Sequence, residues 1–208
     1  MAFYFDTMKQ DVFTRNVPGV TERLQKVCVG IAGCGGLGSN AAVMLARAGI
    51  GKLILADFDR VEPSNLNRQH FFLSDLGKPK AEALAAYLKA INPTIVLDIH
   101  TCMVDRDNMV SIFGEADMLL EAFDQAESKL WLIQSWCSRY PSKPLVSGNG
   151  LAGYGSWETL RMEQIGNLVL CGDMTSDMAM GMTAPRVMIV AAMQANAVIQ
   201  LILEGKAT

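Results

Sequence analysis

The feature that most constrains this chain is a glycine-rich turn between an apolar run and a helical stretch. Residues 26–32 (KVCVGIA) have the apolar, β-branched character of a buried strand, and the sequence GCGGLG follows at once. After it, SNAAVMLARAG is typical of a helix that ends at Gly49. The spacing G-x-G-x-x-G in this context predicts a phosphate-binding turn, because glycines let backbone N–H groups approach a phosphate at the positive end of a helix. The predicted nucleotide contacts of this turn are Gly33, Gly35, Gly36 and Gly38.

Apolar runs and helical stretches go on alternating along the chain. Further strands are predicted at residues 52–56, within 94–104, at 117–122 and at 144–147, with helices at 80–91 and 127–140. From Gly148 two runs with partial period-2 alternation predict an antiparallel extension. Residues 171–183 are predicted to form a mobile loop, and Pro185 suits the first turn of a long final helix, 184–203. The prediction is one α/β domain, 1–208, with a doubly wound, Rossmann-like, mainly parallel sheet and an antiparallel C-terminal extension.

The charge balance argues against nucleic acid as a partner. The 208 residues carry 18 Lys and Arg against 21 Asp and Glu, which gives a formal net charge of −3. Such a chain has no sequence-independent attraction to a phosphate backbone. We therefore expect no nucleic-acid partner.

Cysteine usage and the apolar segments indicate a reducing, cytoplasmic setting. The five cysteines are scattered and never form CxxC, so neither a disulfide framework nor a paired zinc knuckle is expected. The amino terminus carries acidic residues where a signal peptide needs basic and then apolar ones. The apolar stretch at 187–203 is interrupted by Gln194, Asn196 and Gln200, which argues against a membrane span. We expect no membrane contact.

A carboxylate follows the second predicted strand. Asp57 stands at the carboxyl end of KLILA, where it can accept hydrogen bonds from ribose hydroxyls. A glycine turn with such an acid serves a dinucleotide and ATP equally well. These two features therefore leave an NAD-dependent Rossmann oxidoreductase open as one candidate.

The segment after this acid favours a triphosphate. The sequence DFDRVEPSNLNRQH brings a second carboxylate, Asp59, and then Asn65, Arg68 and Gln69, all expected at the nucleotide site. Arg68, together with Lys80 after the GKPK turn, can neutralise the charge of a reacting phosphate, and Asn65 can orient a phosphate oxygen. Hydride transfer has no need for this cluster.

Several segments occur in an order that carries a family resemblance. They are GCGGLGS, LILADFDRVEPSNLNRQ, GKPKAEAL, EAFDQ, PLVSGNG and MQANAVIQLIL, between residues 26 and 203. In these segments the chain resembles the E1-like adenylyltransferase superfamily, the ThiF/MoeB/HesA group that activates ubiquitin-like sulfur carriers. Its short length and its lack of zinc cysteines look most like the compact ThiF form linked to thiamine biosynthesis.

The resemblance implies a role for each matching residue. It implies that Asp57 binds the ribose, that Asn65, Arg68 and Lys80 contact the triphosphate of ATP, and that Asp124 binds Mg²⁺ through the phosphates. The implied reaction is adenylyl transfer, in which the C-terminal Gly-Gly carboxylate of a small sulfur carrier attacks the α-phosphorus of ATP and releases pyrophosphate. A non-catalytic E1-like scaffold that only binds a partner is the alternative, which the presence of Arg68 and Lys80 disfavours.

The chain departs from the larger relatives at several places. Only Cys171 occupies the region where they carry two zinc-binding CxxC pairs, so we expect no structural zinc. Cys171 is a candidate acceptor of sulfur or of an acyl group, or else an unreactive cysteine at the entry to a loop. Arg15 is the candidate for an amino-terminal arginine that reaches into the partner subunit's active site. Gln125 replaces the usual asparagine after Asp124, and Glu121 stands on the same predicted strand.

A homodimer is expected from the resemblance and from the final helix. That helix has more apolar surface than one core face requires, from Val187, Ile189, Val190, Ala191, Val198 and Ile202. The alternative is a helix buried on all sides within one subunit. The methionines at 174, 178, 180 and 182 suggest an adaptable surface, either for a flexible carrier tail or for a dimer interface.

Overall fold

In the computed structural model, which describes residues 12–206, strands and helices alternate through most of the chain. The strands are β1 (Cys28–Ala32), β2 (Lys52–Ala56), β3 (Val96–His100), β4 (Met118–Glu121), β5 (Leu145–Gly148), β6 (Arg161–Ile165) and β7 (Leu168–Gly172). The helices are α1 (Val20–Leu24), α2 (Gly36–Ala48), α3 (Lys80–Ile91), α4 (Met109–Phe113), α5 (Ala126–Arg139) and α6 (Ala184–Leu203). The short helices α1 and α4 were not expected from the sequence.

The strands form a single sheet in the order β3-β2-β1-β4-β5-β7-β6. Every neighbouring pair from β3 to β7 is parallel, and only β6 runs antiparallel, beside β7 at the edge. The predicted Rossmann-like, mainly parallel sheet with an antiparallel C-terminal extension is therefore confirmed. The second strand of that extension, β7, joins the parallel part of the sheet through β5.

Helices cover both faces of the sheet, and each face has its own hydrophobic core. On one face α1, α2, α3 and α6 contribute the fully or nearly fully buried side chains Leu24, Leu45, Leu84 and Leu201. On the other face α4 and α5 contribute Phe113 and Trp136. Strands buried on both sides need apolar residues at every position, which explains the continuous apolar runs in the sequence.

The final helix α6 is long and apolar enough to cross a membrane, with a mean hydropathy of 1.6, but 56% of that stretch is buried within the protein. It packs against α2 and against the sheet at β5 and β7. Of the apolar residues assigned to a dimer surface, only Ile189 is exposed, at 42%, while the others are buried in one subunit. Most of α6 is therefore a core helix, and the homodimer stays a prediction that needs another surface.

The glycine turn brings β1 and α2 together at very short range. Gly33 has a φ of +96°, which favours glycine, and a Cβ on Gly38 would lie 1.8 Å from the carbonyl oxygen of Gly33. Only a residue without a side chain fits at Gly38. This close packing places the first turn of α2 directly against the end of β1.

Candidate functional site

A cavity of about 960 Å³ opens at the carboxyl ends of the parallel strands. It lies where the strand order reverses, between β1 and β4, which is the position at which open α/β sheets bind ligands. The predicted site residues that line it are Gly33, Gly35, Gly36, Asp57, Asp59, Arg68, Gln69, Lys80 and Asp124. The predicted residues Gly38, Asn65, Cys171 and Arg15 are not on its wall.

Asp57 ties the glycine turn to the end of β2. Its Oδ2 accepts a hydrogen bond from the backbone N–H of Cys34 at 2.6 Å, and its Oδ1 accepts one from Asp59 at 2.7 Å. Burial raises the pKa of Asp57 above its ordinary value, although the two N–H donors and the ammonium of Lys80 act in the opposite direction. A carboxylate has about four acceptor positions, so Asp57 keeps capacity for the hydroxyls of a ribose.

Lys80 begins α3 and is one of the residues that line the cavity. Its Nζ is 2.7 Å from Oδ2 of Asp59, and its side chain is 7% exposed against 46% for that of Asp59. The backbone N–H of Lys80 also donates to the carbonyl of Asp59 at 2.9 Å. The two contacts fix a nearly buried cation beside the predicted phosphate site.

Arg68 reaches the cavity from the loop between β2 and α3. Its Nη1 donates to the carbonyl of Ser64 at 2.9 Å and to Oδ1 of Asn67 at 2.8 Å. Its Cγ lies 3.7 Å from the place of a Cβ on Gly36, so the stem rests on the glycine turn. Within residues 12–206 its other guanidinium nitrogens have no protein acceptor, which leaves donors for a bound anion.

Asn65 and Gln69 flank Arg68 and are both buried. Asn65 Oδ1 accepts from the backbone N–H of Glu62 at 3.0 Å, and its carbonyl accepts from the N–H of Arg68 at 3.1 Å. Asn65 thus shapes the loop that carries Arg68, and its position gives no support to a phosphate contact. Gln69 lines the cavity, and its buried Oε1 has no hydrogen-bond partner in the described part of the chain.

Asp124 lies beyond the end of β4, on an exposed turn and not on the strand itself. Asp124 is one of the residues that line the cavity. No group of three or more His, Cys, Asp or Glu side chains suited to a metal occurs among residues 12–206. Mg²⁺ in nucleotide sites is held by one or two carboxylates together with the phosphates, so Asp124 fits an ion that arrives with a nucleotide.

Cys171 is not a loop residue, and its position in the sheet argues against its assignment as a candidate nucleophile. The loop was predicted to start at residue 171, but β7 extends to Gly172, and Cys171 is fully buried in the sheet. Burial raises the pKa of its thiol to about 12. A thiol without access or thiolate character is unreactive, which agrees with the alternative reading of this cysteine.

Arg15 lies on an exposed turn far from the cavity of its own subunit. The neighbouring Asn16 donates from Nδ2 to the carbonyl of Ala48 at 2.9 Å, which places this turn at the carboxyl end of α2. The glycine turn is at the other end of that helix, about 20 Å away at 1.5 Å per residue. Arg15 therefore has no role at its own cavity, and its contact with a partner's site stays a prediction.

Two parts of the wall were missed by the sequence reasoning. One is a set of side chains from the loop after β3, the turn after β4 and the helix α5, in which the Phe123 and Trp131 ring centroids are 6.3 Å apart and the Arg106 guanidinium lies 5.9 Å from the Trp131 ring. These rings, inclined to each other by 39°, offer an apolar surface. The other is Lys129, which lines the cavity and pairs with the buried carboxylate of Glu121. Nothing in the sequence distinguishes a helical lysine that faces a cavity from one that faces solvent.

The comparisons with known proteins agree on one family for this chain. Residues 9–208 match the ThiF family. The SAMP-activating enzyme E1 of Haloferax volcanii is 33% identical over 155 residues, which are 71% of this chain and 57% of that protein. The adenylyltransferase and sulfurtransferase UBA4 of Candida albicans is 32% identical over 150 residues, which are 72% of this chain and 34% of that protein. The chain thus spans between a third and just over half of the length of these relatives.

A solved structure with the same fold is the tRNA N6-threonylcarbamoyladenosine dehydratase TcdA of E. coli in complex with AMP. It matches with a TM-score of 0.84 at 21% sequence identity and covers 95% of both chains. At this sequence identity the likeness shows a shared fold and does not extend to the activity.

Proposed function

The chain belongs to the ThiF family, and we propose that it transfers the adenylyl group of ATP to the C-terminal carboxylate of a ubiquitin-like sulfur carrier that ends in Gly-Gly. The observation that carries the proposal is one cavity in which the glycine turn, the carboxylate of Asp57 and the cations of Arg68 and Lys80 come together. Relatives named as a SAMP-activating enzyme and as an adenylyltransferase and sulfurtransferase support this reaction class.

Adenylyl transfer accounts for the cations in the cavity, and it needs no nucleophile from the protein. The carrier's own carboxylate attacks the α-phosphorus, the bond from that phosphorus to the bridging oxygen breaks, and pyrophosphate leaves. The protein has to align the reactants and stabilise charge on the phosphates. Arg68 can contact two oxygens with its planar fork, and Lys80 supplies a point charge beside it.

A divalent ion bound to ATP would neutralise part of the phosphate charge, and Asp124 on the cavity wall would hold it. Asp57 would accept from the ribose, and the rings of Phe123 and Trp131 offer a surface for the base. TcdA, which shares this fold, has been solved in complex with AMP and with ATP, which supports the proposal that this chain binds a nucleotide.

The wall also suits an extended, flexible tail. Leu151, Ala152, Met178 and Met182 line part of the cavity, and two of these are the unbranched, adaptable methionines noted in the sequence. Such an adaptable apolar lining suits the Gly-Gly terminus of a carrier. We propose thiamine biosynthesis in the cytoplasm as the setting, from the resemblance to the compact ThiF form.

The product identifies the reaction directly. The full chain is incubated with ATP, Mg²⁺ and a ThiS-like carrier ending in Gly-Gly, and the intact mass of the carrier is measured. We expect the carrier to gain one AMP, and a carrier without its last glycine to gain none. Adenylation of no carrier, with turnover of a threonylcarbamoyladenosine-containing tRNA instead, would contradict the proposal. Saturable NADH binding without competition from ATP would assign the cavity to a dinucleotide.

A further inference from the structure

Beneath the wall that carries Asp124, a carboxylate is fully buried. Glu121, the last residue of β4, has 0% exposure, and three donors surround it. The hydroxyl of Ser147 on β5 donates to its Oε2 at 2.6 Å, and the ammonium of Lys129 on α5 pairs with the same oxygen. The backbone N–H of Phe123 donates to its Oε1 at 2.7 Å. Glu121 therefore joins two strands, a helix and the turn between β4 and α5.

That turn, residues 122–125, is confined from the opposite side by the glycine turn. The N–H of Ala122 donates to the carbonyl of Ala32 at 2.9 Å, and a Cβ on Gly33 would lie 2.8 Å from the carbonyl oxygen of Ala122. Asp124 follows on the exposed part of the same turn. The direction in which its carboxylate points is set by the residues just before it, which Glu121 and the glycine turn hold.

Lys129 differs from an ordinary surface lysine in its position and its partner. Its side chain is 20% exposed, its ammonium pairs with a fully buried carboxylate, and it lies on the cavity wall. Exposed ion pairs, such as the one between Lys52 and Glu115 elsewhere on the molecule, hold side chains only loosely because water competes for them. Lys129, by contrast, is paired with a carboxylate that water does not reach, so the contact holds both side chains in place.

We propose that Glu121 and Lys129 are positioning residues for Asp124, because together they hold the turn 122–125 in the conformation that presents the Asp124 carboxylate to a metal-bound nucleotide. The inference rests on the proposed use of ATP, and it assigns Lys129 an indirect role: the ammonium acts on the turn through Glu121 and does not bind the phosphates. Residues behind a metal-binding carboxylate commonly change metal affinity without touching the ligand.

The test measures ATP binding by calorimetry, once with Mn²⁺ present and once in excess chelator. Lys129→Met removes the ammonium and keeps a similar length, Glu121→Gln removes the charge of the carboxylate, and Lys129→Arg restores a cation. Lys52→Met is the matched control, since it makes the same change of charge in the exposed pair with Glu115. Melting curves of each variant report whether it is folded.

We expect Lys129→Met to weaken the binding of ATP with Mn²⁺ about tenfold and to leave metal-free ATP binding within about twofold of wild type. Lys129→Arg should recover most of the loss. A folded Glu121→Gln should match Lys129→Met, and the double variant should be no worse than either single one, because both act through one contact. The control should bind like wild type in both conditions.

Two results would overturn the inference while the proposed function stands. Lys129→Met with unchanged binding in the presence of Mn²⁺ would show that the pair does not affect Asp124. An equal loss with and without metal would show that the ammonium binds the phosphates directly. A wild-type protein that binds no ATP in either condition would contradict the proposed function itself, and the inference with it.

Discussion

The residue whose removal tests the site most sharply is Arg68. Its guanidinium is on the cavity wall and has donors to spare for a phosphate. We expect Arg68→Ala to lower carrier-dependent ATP–pyrophosphate exchange on the order of 100-fold, comparable with the loss of one preorganised transition-state donor. Arg68→Lys should recover little, because an ammonium cannot contact two oxygens in a plane.

Arg60 provides the control for that experiment. It is an exposed arginine of the same loop, its Nη1 donates to the carbonyl of Gly77 at 2.7 Å, and it is not on the cavity wall. Arg60→Ala should catalyse ATP–pyrophosphate exchange at the wild-type rate. Both variants should have melting temperatures near that of wild type. Near-normal exchange by Arg68→Ala would remove this loop from the nucleotide site.

Cys171 leads to a prediction about reactivity. Because its buried thiol has a pKa of about 12, it is neutral at any physiological pH. We expect Cys171→Ala to retain exchange within about twofold, and native Cys171 to escape iodoacetamide at pH 8 while the half-buried Cys102 on the cavity wall is labelled. Peptide mass spectrometry measures both cysteines, with denatured protein as the reference. Full labelling of native Cys171 would restore it as a candidate nucleophile.

Single residues could be predicted where a motif fixes the backbone around them. The glycines and Asp57 are in this class, since strand, turn and helix leave them few positions. Asn65 and Cys171 are not, because the direction of a side chain in a loop or at a strand end depends on turn geometry and on the strand's true boundary. The role of Glu121 also depended on long-range contacts with β5 and α5.

At the scale of elements, β7 and α6 are joined by a buried ion pair. Arg186 Nη2 is 2.5 Å from Oδ2 of Asp173, and the two side chains are 5% and 6% exposed. Burial alone would raise the pKa of Asp173, but the N–H groups of Ser176 and Thr175 and the guanidinium of Arg186 outweigh burial and hold the pKa well below its usual range. This pair lies in the region where larger relatives are expected to carry zinc.

The depressed pKa of Asp173 gives its contribution to stability a definite pH dependence. The contribution is complete above the unfolded value of about 4, and it is lost as the pH falls towards the lower folded value. We expect Asp173→Asn to lower the free energy of unfolding by roughly 3 kcal/mol at neutral pH, because it leaves a buried guanidinium without its partner. The difference in the free energy of unfolding between this variant and wild type should become smaller below about pH 4. Denaturant titration at several pH values measures it.

The exposed pair of Arg161 and Glu163 on β6 is the control for this prediction. Its side chains are 48% and 43% exposed, so Glu163→Gln should change the free energy of unfolding by less than about 0.5 kcal/mol. An Asp173→Asn variant as stable as this control, or a difference that grows on acidification, would contradict the assignment.

Helices and strands could be predicted well where an apolar run is long and ends at turn-forming or charged residues. The strands β1, β2 and β5 and the helices α3 and α6 agree with the sequence to within a few residues. The helices α1 and α4 and the last two residues of β7 were missed, because short elements are fixed by packing more than by local pattern.

At the scale of the whole molecule, the β/α alternation was enough for the doubly wound fold, since right-handed crossovers leave few arrangements. It was not enough for the dimer, because the sequence could not tell that α6 is largely buried within one subunit. The homodimer therefore rests on the resemblance. We expect sedimentation velocity at micromolar concentration to give a dimer, and a fully active monomer would reject it.

Arg15 makes the dimer testable in a second way. If it completes the partner's site, each site needs Arg68 from one subunit and Arg15 from the other. The variants Arg15→Ala and Arg68→Ala should then each be nearly inactive alone. A mixed dimer of the two variants has one site with both arginines and one site with neither. Random exchange of subunits should then restore about a quarter of the wild-type exchange rate. No recovery after mixing, or an active Arg15→Ala variant, would show that Arg15 has no role across the interface.

Carrier-dependent ATP–pyrophosphate exchange tests the central claim most directly, because it requires the nucleotide cavity, the carrier's terminal carboxylate and reversible formation of the acyl adenylate together. With ATP, Mg²⁺ and radiolabelled pyrophosphate, we expect label to enter ATP only when a carrier ending in Gly-Gly is present, and Arg68→Ala to abolish nearly all of it. Exchange that is absent with every Gly-Gly carrier tested, or that is the same without a carrier, would contradict the account.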